Sequence, residues 1–469
     1  MRKFLFFSGI LSVLFLFQCK NAETFTKSGK ATLSGKVTNA TGPAVTIDIQ
    51  GEKIDIPLSQ DGSFKTDLEI PGAGIYKIVT GNQGVVLPVY LLPGESTMLN
   101  CDGSNMIMTA KFDGKTKHEN NFLVAKMFNE PNLIQIDQTT FFTLPEVDFL
   151  KQVEEVKSKL IEFKKEYQKQ NGVFSPHFEE IVNQDITFQI TNLKMLYPVY
   201  YNYLMKTNDF KPSENFYSYF QGLDINNEIN LQSEHFIAFV PLYIEHLLKE
   251  KNNNVENYES TGLNKLSILS ETITSEKIRE EISYQIMKES FETKLSDAFA
   301  MYESYLNQAK DEKKKKNIEN LYNQWLPLKP GNVAPDFTAL DRNGNSYSLA
   351  QLKGKVLYID IWATWCGPCI AELPYLEKLQ SSFRGVKNIE FVSISIDQSS
   401  EPWRKMIEAK NMQGLQLYAQ GAWNSDVIAN YRINGIPRFI IIDKEGKLVD
   451  GNAPRPSNPG TEQILKNLI

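Results

Sequence analysis

Two cysteines, Cys366 and Cys369, are separated by a Gly-Pro dipeptide. Such a pair can form a redox couple, supply half of a metal site or close a structural disulfide. Zinc would require a second pair of Cys or His ligands, and no remaining cysteine or histidine has suitable spacing. A disulfide across so short a loop adds little stability, because the entropic gain grows with loop length. The sequence therefore favours a redox couple without a metal.

The residues around the pair predict that it lies where a strand leads into a helix. The apolar run Val356–Trp362 is typical of a central strand that is covered on both faces. The Gly-Pro dipeptide supplies a turn and a proline suited to the first turn of a helix, which we expect to continue to Phe383. Cys366 would lie at the helix N-terminus, where free N–H groups and the helix dipole favour a thiolate. Cys369 would lie one turn further on the same face, so we expect an exposed nucleophile with a resolving thiol behind it.

Two carboxylates are candidates for proton transfer at this pair. Asp360 lies six residues before Cys366 inside the apolar strand, where burial would raise its pKa and let it take a proton from Cys369. The alternative for Asp360 is a strand-end aspartate that only accepts hydrogen bonds. Glu372 lies three residues after Cys369 and therefore on the same helix face. Its alternative is an ordinary exposed glutamate on a helix.

Residues 330–469 resemble the thioredoxin superfamily, and within it the membrane-tethered TlpA/ResA-type thiol–disulfide oxidoreductases. Strands and helices alternate in this part of the chain, as in α/β folds. The resemblance rests on four motifs, which are Trp365-Cys-Gly-Pro-Cys369, Ala334-Pro-Asp-Phe337, Gly435-Ile-Pro437 and Asp443-Lys-Glu-Gly446. It implies an α/β thioredoxin fold whose redox centre is the Cys366–Cys369 disulfide, with no other cofactor.

The resemblance also implies roles for the residues near the cysteines. Asp360 matches the buried acid of thioredoxins, and Glu372 matches the active-site glutamate of the ResA type. Trp365 would pack beside the disulfide and cover its apolar rim. Pro437 would follow a cis peptide bond and present the backbone of Ile436 to an extended substrate strand, which would pair with it by β-addition.

The chain before residue 330 predicts two further domains. Residues 30–118 show strand-like alternation, and Asp-Gly dipeptides at 61–62, 102–103 and 113–114 are typical of hairpin turns. We expect an antiparallel β-sandwich, similar to the small β domain that precedes thioredoxin modules in exported proteins of Bacteroides-type bacteria. Residues 119–328 contain little glycine and show helical periodicity, which predicts an all-α segment of six to nine helices. The fold class is thus multidomain, with a sandwich, a helical middle and a C-terminal α/β domain.

The first 19 residues are typical of an export signal. Arg2 and Lys3 precede the apolar run Phe4–Phe17, which is shorter than the roughly 20 residues that span a bilayer. Cys19 follows this run and resembles the lipidation site of bacterial lipoproteins. A cleaved signal without a lipid and an uncleaved short anchor are the alternatives, because Gln18 stands where lipoproteins have a small residue.

These observations predict a thiol–disulfide oxidoreductase that is exported and tethered on the periplasmic side of a membrane in the cell envelope. It would reduce disulfides of protein substrates, and the resemblance to the TlpA/ResA type implies that it receives electrons from a membrane donor of the DsbD/CcdA kind. The formal charge of −6 argues against a nucleic-acid partner. The alternatives are a disulfide oxidase or isomerase, a peroxiredoxin, whose peroxidatic motif the sequence lacks, and a binding lipoprotein in which the N-terminal domains do the main work.

Overall fold

The computed structural model describes residues 27–80, 85–207, 209–252 and 261–469. The signal segment 1–19, including Cys19, lies outside the described residues. The chain divides into two compact units, Met1–Tyr243 and Ile244–Ile469. The helical segment 119–328 contributes to both units, so the domain boundaries predicted at 118 and 328 do not coincide with this division and stay predictions.

Eight strands in two sheets open the first unit. In most of them apolar and polar residues alternate, so that every second side chain is buried, as in Ser96–Asp102. The strands are β1 Gly29–Thr38, β2 Ala44–Ile49, β3 Glu52–Pro57, β4 Ser63–Ile70, β5 Gly74–Thr80, β6 Val85–Leu91, β7 Ser96–Asp102 and β8 Lys111–Gly114. Their orders are β4-β1-β7-β8 and β3-β2-β5-β6, and buried side chains from both sheets form one apolar cluster.

Two expectations for these strands are wrong. Strands β1 and β7 run parallel, so the arrangement is not wholly antiparallel. Five strands separate the two in the chain, so no hairpin turn forces them into opposite directions. None of the three Asp-Gly dipeptides forms a tight hairpin turn. Gly62 lies between β3 and β4, which belong to different sheets, and Gly114 lies where β8 leads into a helix. Gly103 begins the connection between the paired strands β7 and β8, but this connection contains the short helix Met106–Thr109.

Helices follow the strands because apolar residues recur at helical spacing. In Glu146–Asn171 this spacing buries Phe149, Val153, Val156 and Leu160. The helices of this part are α1 Met106–Thr109, α2 Lys117–Leu133, α3 Gln138–Phe142, α4 Glu146–Asn171, α5 Pro176–Met205, α6 Glu234–Lys251, α7 Gly262–Thr272, α8 Glu276–Thr293, α9 Leu295–Gln308 and α10 Glu312–Trp325. Nine of them, counted in the described residues, lie between Lys117 and Trp325, and α7 to α10 belong wholly to the second unit.

The second unit ends in an α/β domain built on a seven-stranded sheet. The strands are β9 Thr338–Leu340, β10 Ser346–Ser348, β11 Val356–Trp362, β12 Ile389–Ser395, β13 Leu415–Tyr418, β14 Arg438–Ile442 and β15 Leu448–Asp450. Their order is β10-β9-β13-β12-β11-β14-β15, with β11, β12 and β13 parallel and β14 antiparallel to β11. All seven residues of β11 are buried, as the apolar run predicts. The helices are α11 Gly367–Ser382, α12 Ser400–Ala409, α13 Asp426–Asn430 and α14 Thr461–Lys466.

The chain is therefore multidomain, with β-sheets at its start, helices in the middle and an α/β domain at its end. Within the described residues, no helix is both long enough and apolar enough to cross a membrane.

Candidate active site

A disulfide joins Cys366 and Cys369 where the central strand β11 leads into α11. Its S–S distance is 2.03 Å, and the two Cα atoms are 5.2 Å apart. Cys366 is the N-cap of α11, and its Sγ accepts a hydrogen bond from the backbone N–H of Cys369 at 3.2 Å. The free N–H groups at a helix N-terminus stabilise negative charge, so this position favours a thiolate on Cys366 once the disulfide is reduced.

The expectation of an exposed Cys366 is wrong for this oxidised state. Cys366 is 5% exposed and Cys369 is 2% exposed. The sulfur of Cys366 is bonded within the first turn of α11, and the preceding residues Trp362 and Ala363 are fully buried. The exposed residues beside the disulfide are instead Trp365 and the Gly-Pro dipeptide.

A buried carboxylate, Asp397, fixes the short loop that precedes the disulfide. It lies just after β12 and is 2% exposed. It accepts hydrogen bonds from the Thr364 hydroxyl at 2.7 Å, from the Thr364 backbone N–H at 3.2 Å and from the Ser395 hydroxyl at 2.7 Å. These bonds hold the loop that carries Trp365 and Cys366 against the end of β12. Sequence reasoning missed Asp397, because it follows an apolar strand, whereas Asp360 stood out as a carboxylate inside one.

Asp360 lies on the face of β11 that α11 covers. Alternation along the strand places its side chain on the same side as Tyr358. Tyr358 packs in one apolar cluster with Leu376 and Leu379, which lie on the buried face of α11. Cys369 belongs to that same buried face. Asp360 therefore faces the helix surface that carries the second cysteine.

The environment of Asp360 favours its neutral form. The side chain is 4% exposed. Burial in the first place, and the negative charge of Glu372 in the second, raise the pKa of Asp360 to about 8. A hydrogen-bond donor to the carboxylate would lower this pKa, and none of the described residues supplies one. The alternative of an aspartate that only accepts hydrogen bonds is therefore not supported.

Hydrogen bonds from the C-terminal part of the chain fix the side chain of Glu372. It is 8% exposed, so the alternative of an ordinary exposed glutamate is wrong. Its carboxylate accepts hydrogen bonds from the backbone N–H of Ser457 at 3.0 Å and from the Ser457 hydroxyl at 2.8 Å. The guanidinium of Arg455 lies 3.9 Å away. Ser457 and Arg455 lie between β15 and α14, and no local pattern in the sequence connects them to Glu372.

The loop before β14 lies at the same end of the sheet. The peptide bond between Ile436 and Pro437 is cis, as the resemblance implies. Arg438, the next residue, pairs with Ile361 near the end of β11, so the loop lies close to the strand end from which the disulfide follows. Ile436 and Pro437 are half-buried. Trp365 is 57% exposed, and its aromatic neighbour is Trp423.

The remaining cysteine in the described residues does not belong to this site. Cys101 is buried at the end of β7 in the first unit, where burial raises the pKa of its thiol to about 11. Among the described residues, no group of three or more His, Cys, Asp or Glu side chains could hold a metal ion.

Residues 329–469 match the model of the Redoxin family. The chain is 28% identical over 138 residues to the thiol-disulfide oxidoreductase ResA of Bacillus thuringiensis (strain Al Hakam), a match that covers 29% of this chain and 78% of that protein. It is also 28% identical over 122 residues to ResA of Bacillus subtilis (strain 168), covering 26% of this chain and 66% of that protein.

Solved structures are similar to a comparable share of the chain. The thioredoxin domain of a thiol-disulfide oxidoreductase from Bacteroides vulgatus is 34% identical, with a TM-score of 0.28, and the match covers 30% of this chain and 97% of that one. A thiol:disulfide interchange protein from a Bacteroides species is 38% identical, with a TM-score of 0.25, covering 26% of this chain and 80% of that one.

Proposed function

We propose, from the membership of residues 329–469 in the thioredoxin superfamily of thiol–disulfide oxidoreductases, that this protein reduces disulfide bonds of other proteins. The observation that carries the proposal is the Cys366–Cys369 disulfide at the N-terminus of α11, with Asp360 facing the same helix. The disulfide is itself the redox centre, so the reaction needs no dissociable cofactor.

The reaction proceeds by two exchange steps. In the reduced protein the Cys366 thiolate attacks one sulfur of a substrate disulfide, and the other substrate sulfur leaves as a thiolate. Cys369 then attacks the sulfur of Cys366, which releases the second substrate thiolate. The substrate has gained two electrons, and the protein is left with the Cys366–Cys369 disulfide, the state that the structure contains.

The ionised form of Asp360 takes the proton that Cys369 loses in the second step, and the neutral form, which predominates at pH 7, returns a proton to Cys369 when the disulfide is reduced again. Its pKa of about 8 lies close to the value of about 8.5 for an ordinary thiol. Proton transfer between two groups with similar pKa values near the working pH costs little free energy in either direction. Glu372 supports this role, because its negative charge contributes to the raised pKa of Asp360.

The substrate is an extended polypeptide segment that carries a disulfide. The backbone of Ile436, before the cis peptide bond, pairs with this segment by β-addition, and Pro437 and Trp365 line its path. This geometry fits protein disulfides better than small-molecule disulfides, because main-chain pairing needs a peptide backbone on both sides.

Export and anchoring complete the proposal. The N-terminal segment 1–19 directs export, and lipidation of Cys19 anchors the protein on the periplasmic side of a membrane in the cell envelope. A membrane donor of the DsbD/CcdA kind re-reduces the disulfide, since an oxidising compartment does not keep thiols reduced. The apolar run Phe4–Phe17 supports an export signal, because it is shorter than a helix that spans a membrane.

The direction of electron flow is tested by equilibrating the protein with glutathione. The Cys-Gly-Pro-Cys sequence should give a reduction potential nearer that of thioredoxin, about −270 mV, than that of DsbA, about −120 mV. A value above roughly −180 mV would move the protein to the second candidate class, a disulfide oxidase or isomerase.

A binding lipoprotein remains the candidate from a different class. In that case the first 328 residues do the main work. They include the two sheets of β1 to β8, which we take to form a sandwich because their buried residues make one cluster. Loss of the protein's cellular effect in a variant without the C-terminal cysteines would contradict this candidate.

A further inference from the structure

We propose that Trp423, together with Trp365, forms a docking surface for two apolar side chains of the polypeptide next to a substrate disulfide. This inference rests on the proposed function and adds the class of sequence that the site prefers. We refer to the side chains of Trp365 and Trp423 as the tryptophan surface.

The two tryptophans are unusually exposed for this chain. Of its five tryptophans, Trp362 and Trp403 are fully buried, and Trp325 is half-buried beside the guanidinium of Arg432. Trp365 is 57% exposed and Trp423 is 42% exposed. Exposed indole rings leave a large apolar area in water, and tryptophan is enriched among the residues that dominate binding energy in protein interfaces.

Trp423 is held outward by an ordered turn. It lies in the 3₁₀ turn Ala422–Asn424, which follows β13. The N–H of Asn424 donates to the carbonyl of Gly421 at 2.8 Å, and the hydroxyl of Ser425 donates to the carbonyl of Ala422 at 2.7 Å. Ala422 has a φ of 50°, a conformation that residues with a side chain adopt at a cost. The turn that leaves the Trp423 indole ring exposed therefore contains a residue in an unfavourable backbone conformation.

The tryptophan surface is continuous with the redox centre. Trp365 directly precedes Cys366 and its side chain is exposed, so a polypeptide whose sulfur reaches Cys366 comes within reach of the Trp365 ring. The Trp423 ring lies next to it, with the two ring centroids 6.5 Å apart and their planes at 43°. No charged residue occurs in the segment 364–368, which leaves this part of the surface neutral.

The spacing of the two rings matches an extended chain. Residues rise by about 3.3 Å each along a strand, and side chains two residues apart lie on the same face, about 6.6 Å from each other. The centroid separation of 6.5 Å is the same length. An extended substrate segment can therefore place side chains i and i+2 on the two rings. The partner chemistry is a polypeptide with two apolar side chains at this spacing beside its cysteine.

The test compares two peptide disulfides with a small disulfide. One peptide carries leucine at i and i+2 beside its cysteine, the matched peptide carries serine there, and glutathione disulfide supplies no such segment. Trp423→Ala should lower kcat/KM for the leucine peptide by about fivefold to thirtyfold relative to glutathione disulfide. Trp423→Phe should restore most of the preference for leucine over serine. Tyr375→Ala, which removes a 51% exposed aromatic ring elsewhere on α11, should leave the preference unchanged.

The other outcomes overturn the inference in distinguishable ways. An unchanged leucine-to-serine ratio in Trp423→Ala would refute the tryptophan surface while leaving the proposed function intact. An equal loss of rate with all three disulfides would assign Trp423 to the integrity of the site and refute docking. A homodimer of the full-length protein that Trp423→Ala dissociates, seen by sedimentation, would show that a second copy occupies the surface. A wild-type protein that reduces none of the three disulfides would refute the proposed function, and the inference with it.

Discussion

Replacing Asp360 by asparagine tests whether its buried carboxyl group transfers protons. Burial, and then the charge of Glu372, raise the pKa of Asp360 from 3.8 to about 8. Between pH 3.8 and about 8 the Asp360 carboxyl group is ionised in the unfolded chain but protonated in the folded protein. The free energy of unfolding therefore falls as pH rises through this window. At pH 7 the free energy of unfolding is about 4 kcal/mol lower than at pH values below 3.8, since one pH unit in this window corresponds to about 1.4 kcal/mol.

Two effects are expected in Asp360→Asn. The asparagine cannot ionise, so the oxidised variant should be more stable than the unchanged protein at pH 7, by up to about 4 kcal/mol, and this gain should shrink as pH falls towards 4. Disulfide exchange near neutral pH should slow by roughly 100-fold, the lower end of what general acid–base catalysis contributes. A more stable and slower variant is the signature of a buried group that is retained for its chemistry.

Tryptophan fluorescence is suited to the stability measurement. All five tryptophans lie between Trp325 and Trp423, so the signal follows the second unit alone. This avoids treating a multidomain protein as one two-state transition. Urea unfolding between pH 4 and 8 gives the stability, and the rate of insulin reduction gives the exchange activity.

Asp397→Asn provides the matched control for this experiment. Asp397 is also a buried aspartate in the α/β domain, but it accepts three hydrogen bonds from Thr364 and Ser395. Its replacement should therefore lower stability at pH 7, whereas Asp360→Asn should raise it. Lower stability of Asp360→Asn at pH 7, together with unchanged turnover per folded molecule, would refute proton transfer and leave Asp360 a structural role only.

Two further predictions concern the same helix. In the reduced protein at neutral pH, Cys366 should be alkylated by iodoacetamide faster than Cys369, because it caps the helix N-terminus; equal rates by mass spectrometry would count against Cys366 as the nucleophile. Glu372→Gln removes the negative charge that is the second cause of the raised pKa of Asp360, so the pH midpoint of Asp360 ionisation should fall below about 8. Carboxyl NMR measures this midpoint. Glu377→Gln, on the exposed face of α11, should leave that midpoint unchanged, and an equal effect of both variants would contradict the specific pairing.

Local patterns predicted the part of the site that is contiguous in the chain. The fully apolar run of β11 required burial on both faces, and the Gly-Pro dipeptide marked the helix start, so the position of Cys366 followed from neighbouring residues. The burial of Asp360 followed from the same run. The cis peptide bond before Pro437 came from resemblance to a family, since nothing in the local residues distinguishes a cis from a trans bond.

The remaining features depend on contacts between distant segments. Ser457 reaches Glu372 from 85 residues away, and Asp397 reaches Thr364 from 33 residues away. Cys366 has low exposure in the disulfide-bonded state, and residue types do not encode whether its sulfur is bonded. The parallel pairing of β1 and β7 depends on the order in which the chain places its strands in the two sheets. The Asp-Gly dipeptides predict a local turn, but they do not determine which sheet the next strand joins.

Trapping a mixed disulfide tests the central claim most directly. The reduced Cys369→Ser variant is mixed with a peptide disulfide, quenched with acid and examined by mass spectrometry without reductant. We expect one covalent adduct on Cys366 that accumulates, because the resolving thiol is missing. The matched Cys366→Ser variant should form little adduct, and the unchanged protein should end as the Cys366–Cys369 disulfide with released peptide thiols. Absence of an adduct in Cys369→Ser, or an equally fast adduct on Cys369 in Cys366→Ser, would contradict the assignment of nucleophile and resolving thiol.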